Sequence, residues 1–196
     1  GLEPGDMLYL HPKWAHDGIA EGECMTYSIG FRSPKQDEMA REIFLRMSDA
    51  PDECPKDVVY KDPKQAAVSN PGEIPAQMYE FARQALAKAL AEPLALERAL
   101  GEYMSDPKQN VWFEPAQDFA LLEGVRLNRR TRMLYDDKHI FINGESYLAG
   151  GKDAKLMQKL ADERQLSHRE VQQFSDDALE LLSSWVDAGW ADSVAK

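Results

Sequence analysis

Residues 5–18 read GDMLYLHPKWAHDG, and within them His16 is the side chain best placed to do chemistry. An apolar run, a proline corner and then a histidine can deliver an imidazole to the mouth of a β-barrel, where inward side chains from several strands converge. Two histidines and one carboxylate on one face make a non-haem Fe(II) site, with positions left open for O₂ and an oxidisable co-substrate. The same letters also suit a solvated loop histidine, which on the residues alone is the preferred reading. His168-Arg169-Glu170 is the chain's His-x-acid pair, but Ser167 before it completes a capping box. In such a box the acid serves backbone N–H groups rather than a metal. Arg126, Arg129, Arg130 and Arg132 cluster tightly enough to meet phosphate. Yet residues 111–196 hold 11 basic and 15 acidic side chains, and a solvated strand face paired to local carboxylates is the preferred reading. Cys24 has no basic neighbour to make it a reactive thiolate. Trp185 and Trp190 read as core.

Three kinds of element must position these residues. Residues 1–33 read as β: a short strand at 7–10, a corner at Pro12, and a clear strand at 23–31, ECMTYSIGF. Along that second strand Met25, Tyr27, Ile29 and Phe31 share one face, and Cys24, Thr26, Ser28 and Gly30 the other. Two strands do not make a stable unit, so they need more sheet. From Ser33-Pro34, a cap followed by proline at the first helical position, the period turns helical to about residue 47. A proline-rich surface connection leads to an amphipathic helix at 75–90, striped by Ile74, Met78, Phe81, Ala85 and Ala89. Pro93 starts another helix, striped by Leu96, Leu100 and Tyr103. Beyond residue 110 a β-meander turns at Asp136-Asp137-Lys138 and at Asn143-Gly144, a good type I′ pair. Three short helices follow, the last running from about Asp176 to Gly189. Strands with a helical trio predict a winged-helix-like module, and the whole is α+β.

Composition narrows the classes. The 196 residues carry 34 acidic and 23 basic side chains, a formal charge of −11, which disfavours nucleic-acid and membrane-surface binding. Two cysteines make no disulfide framework and fit a reducing cytoplasm. No apolar stretch approaches the roughly 18 residues of a membrane span. The chain opens on Gly1, in a turn that reads as the continuation of something, so we expect a C-terminal portion of a longer protein. Three helices with so long a connection make a poor solitary core, and a homodimer through residues 34–104 is expected.

LEPGDMLYLHPKWAHDG followed by MTYSIGFRSP resembles the distal half of the catalytic barrel in JmjC-type cupins. More narrowly it resembles the bacterial ribosomal-protein arginine hydroxylases, the ROX group of 2-oxoglutarate oxygenases, along essentially the whole chain. With the boundaries read from the residues, the chain divides into three parts: residues 1–33, which the resemblance makes distal strands of a double-stranded β-helix barrel, a helical dimerisation region at 34–110, and a winged-helix-like domain at 111–196. The resemblance implies that His16 is the second histidine ligand of Fe(II), and that Thr26 and Ser28 line the 2-oxoglutarate pocket. A buried hydroxyl there needs a partner, and an oxoacid carboxylate is a suitable one. It also implies a basic ribosomal protein as substrate. The chain departs from the pattern at one place. The family's other two ligands form a His-x-Asp pair upstream, and nothing before residue 16 contains one. The basic residue expected on the distal carboxylate of 2-oxoglutarate is also absent, so these residues alone are expected to be inactive. The rival reading is a non-catalytic, dimerising winged-helix interaction module.

Overall fold

Asn143 and Gly144 both take positive φ, +48° and +91°, as a type I′ turn demands. They close a hairpin in a computed structural model that describes residues 1–30, 33–49, 58–63, 69–115 and 124–194. Phe31, Cys54 and much of the proline-rich connection lie outside the described residues. The chain forms two units, Gly1–Ser33 and Pro34–Lys196.

Within the first unit the described residues hold no strand, although the sequence pattern predicts strands at 7–10 and 23–31. The reason is physical: a strand exists by its ladder, and these described residues supply none. The alternation persists without a sheet to use it. Met25, Tyr27 and Ile29 are all exposed.

The second unit is α+β. Its helices α1 (Gln36–Ser48), α2 (Ala76–Leu90) and α3 (Ala95–Ser105) come first. Helix α1 opens at Lys35, not at Ser33, so Pro34 stands just outside the first turn. Then come β1 (Gly124–Leu127), β2 (Met133–Tyr135), β3 (His139–Ile142), β4 (Glu145–Leu148), α4 (Gly151–Glu163), β5 (Gln165–Leu166), α5 (His168–Val171), α6 (Asp176–Asp187) and β6 (Ala191–Val194). The strands make two three-stranded sheets, β2-β3-β4 and β5-β1-β6. The expected meander is therefore β2 to β4 only. Its expected first strand, β1, pairs antiparallel with β5 and β6 instead.

The middle strand β3 is buried on both faces. Met133, Ile140 and Ile142 face a core built with Leu160, Leu182, Trp185 and Val186 from α4 and α6. Phe141, on the opposite face, lies against Gly101 of α3, and a Cβ added at Gly101 would stand 2.2 Å from the ring. Helix α3 thus buries its small residues, Ala95, Ala99, Gly101 and Ser105, rather than the expected Leu96-Leu100-Tyr103 stripe. Small side chains let the helix backbone approach the sheet closely. Trp185 is buried and Trp190 packs against the same core, as the sequence predicts. Helix α6 starts on Ser175, whose hydroxyl accepts from the Ala178 N–H, and stops at Gly189 with φ +74°.

Candidate functional site

The segment around His16 is shaped by short-range bonds. Gly5, at φ +101°, lets the Asp6 N–H reach the Glu3 carbonyl at 3.0 Å, while the Asp6 carboxylate accepts the Glu3 N–H at 2.9 Å. Pro12 and Lys13, the latter at φ +68°, turn the chain so that the Trp14 N–H donates to the His11 carbonyl at 3.2 Å. The His11 ring lies between Tyr9, 5.2 Å away edge-on, and Trp14, 6.0 Å away. His16 follows the turn with Nδ1 3.5 Å from the Trp14 carbonyl oxygen, and the imidazole is exposed. Thr26 and Ser28 are exposed too, and no hydrogen bond among the described residues joins either of them to His16.

Among the described residues no group of three His, Cys, Asp or Glu side chains could hold a metal ion. His16 offers a single imidazole, so these residues do not by themselves fit a 2-His-1-carboxylate centre. The His168-x-Glu170 pair is occupied elsewhere. Glu170 accepts the Ser167 N–H at 2.8 Å, its half of the capping box, also accepts the Ser167 hydroxyl at 2.6 Å, and pairs with Lys159 of α4. The Lys159 ammonium, then the two Ser167 donors, hold the Glu170 carboxyl down to about 2.

The arginines do something that sequence reasoning missed. Arg130 donates to the Trp112 carbonyl at 2.9 Å and Arg132 to the Asp106 carbonyl at 2.7 Å. Arg164, at φ +64°, donates to the carbonyls of Asn128 and Thr131. Arg130 and Arg132 thus bind backbone oxygens of remote segments, not the local carboxylates expected. Arg126 and Arg129 are exposed. Also unforeseen is His139, buried in β3 with Nδ1 3.1 Å from the Asp136 carboxylate and its ring stacked on Phe141. Burial would raise the Asp136 carboxyl, but the N–H groups of Lys138 and His139 and the His139 ring together hold it below its ordinary value. This pairing fixes the β2–β3 turn, a structural use of both groups.

Two family models match the chain: a JmjC domain over residues 1–39, and a ROXA-like winged helix over residues 86–192. The ribosomal protein uL16 3-hydroxylase of Escherichia coli (strain K12) is 27% identical over 157 residues, which cover 74% of this chain and 40% of that protein. A probable ribosomal oxygenase of Haemophilus influenzae is 48% identical over 33 residues, 17% of this chain and 8% of that one. The chain thus spans less than half the length of these curated relatives. In fold it is similar to the crystal structure of the Escherichia coli ribosomal oxygenase YcfD, with a TM-score of 0.66 at 17% identity, covering 85% of this chain and 48% of that chain. It is similarly close to YcfD in complex with cobalt and 2-oxoglutarate, with a TM-score of 0.64 at 18% identity over the same shares.

Proposed function

This chain belongs to the ROXA-like winged-helix family, and from that premise we propose that it is the C-terminal portion of an Fe(II)- and 2-oxoglutarate-dependent protein hydroxylase. The observation that carries the reading is the order of the two matches, a JmjC segment over residues 1–39 and the winged helix after it, on one chain. The 27% identity to a uL16 hydroxylase supports a ribosomal protein as substrate, and we assign an arginine of that protein as the residue oxidised. A formal charge of −11 suits a basic partner.

In this reading His16 supplies one imidazole to the iron, and Thr26 and Ser28 present hydroxyls to 2-oxoglutarate. The remaining ligands come from outside residues 1–196, and one imidazole by itself carries no step of the reaction. The part that would complete a barrel ends at residue 33 and the helical region at residue 110, with a homodimer through residues 34–104. The working compartment is the cytoplasm, where ribosomal proteins are met, and no nucleic acid is bound. Among the described residues no helix is long and apolar enough to cross a membrane.

The rival, a non-catalytic dimerising module, is favoured by one observation, the exposure of His16 with no group of three metal-binding side chains among the described residues. Mass spectrometry of ribosomal proteins from cells with and without the gene separates the two. The hydroxylase predicts one ribosomal protein that is heavier by one oxygen atom, on an arginine, only when the gene is present. Identical masses in both strains favour the module.

A further inference from the structure

No further inference is drawn: the strongest candidate, the cleft at one end of the β5-β1-β6 sheet lined by Gly124, Leu166, His168, Arg169 and Val194, carries nothing because its wall at Gly124 continues directly into residues 116–123, outside the described residues, and nothing in the structure shows what covers it.

Discussion

Glu170 answers to two partners with one carboxylate, the Ser167 cap and the Lys159 ammonium, and so ties α5 to α4. Its folded carboxyl sits at about 2 against an ordinary 4.5. A depressed carboxyl stabilises the fold fully above the ordinary value, and that contribution is lost as pH falls through the folded one. Glu170→Ala should therefore cost about 1 kcal/mol at neutral pH, the scale of a lost cap. Melting curves should show Tm lowered by about 2–4 °C. The gap between variant and parent should close between pH 4.5 and about 2; a gap unchanged across that window would contradict the assignment. Only half of this contact is legible in the sequence. The Ser167-to-Glu170 spacing is local and reads directly, while Lys159 belongs to another helix. For the same reason the roles of Arg130 and Arg132 escape a sequence reading, since the carbonyls they bind at Trp112 and Asp106 are fixed by packing, not by spacing. His16, Thr26 and Ser28 stand out only through the resemblance of residues 1–33 to JmjC-type cupins, and no local geometry among the described residues brings them together.

Helix α3 and the β2-β3-β4 sheet meet through Gly101 and Phe141. Alanine would ordinarily suit a helix interior better than glycine, but here its methyl group would enter the space of the Phe141 ring. Gly101→Ala should destabilise by about 1–3 kcal/mol, the cost of overpacking. Adding Phe141→Leu should return part of that loss by making room. Urea unfolding of the parent, the single variants and the double variant measures both effects; a Gly101→Ala protein as stable as the parent would show that α3 does not approach the sheet this closely. Hairpin turns are readable in advance because Asn143-Gly144 and Asp136-Asp137-Lys138 carry their geometry in adjacent residues. The partners of β1 are not. A two-residue strand at Gln165–Leu166 and a terminal one at Ala191–Val194 give no periodicity to read, and only the folded helices bring them alongside. Residues 23–31 show the converse, a strand pattern awaiting a ladder.

At the scale of the molecule, α1 packs along α3, while α2 has no comparable partner among the described residues. Ile74, just before α2, and Tyr79, Leu86 and Leu90 on it are 51–59% exposed. Burying one large apolar side chain is worth roughly 1.5–3 kcal/mol, so a second copy covering this helix would gain several times that. Light scattering at micromolar concentration should give a dimer, and Leu86→Glu a monomer. Phe81 is a poorer probe than the stripe suggests, because it already meets Tyr60 of its own chain, ring to ring at 5.5 Å. A monomeric parent would remove the helical interface. The acidic excess in residues 111–196 predicts no retention of duplex DNA at physiological salt in a gel-shift titration, and salt-sensitive retention lost on replacing Arg129 and Arg130 would reverse that reading. If His16 is a metal ligand of a 2-oxoglutarate oxygenase, as proposed, turnover must depend on it. The most direct test is succinate release from 2-oxoglutarate by the protein as its gene encodes it, beside the His16→Ala variant. Melting curves of the two without metal should first coincide, since His16 is exposed in residues 1–196 and only a bound metal would stabilise the parent above the variant. Turnover is expected in the parent and none in the variant; a variant that releases succinate at the parent's rate would rule His16 out as a ligand.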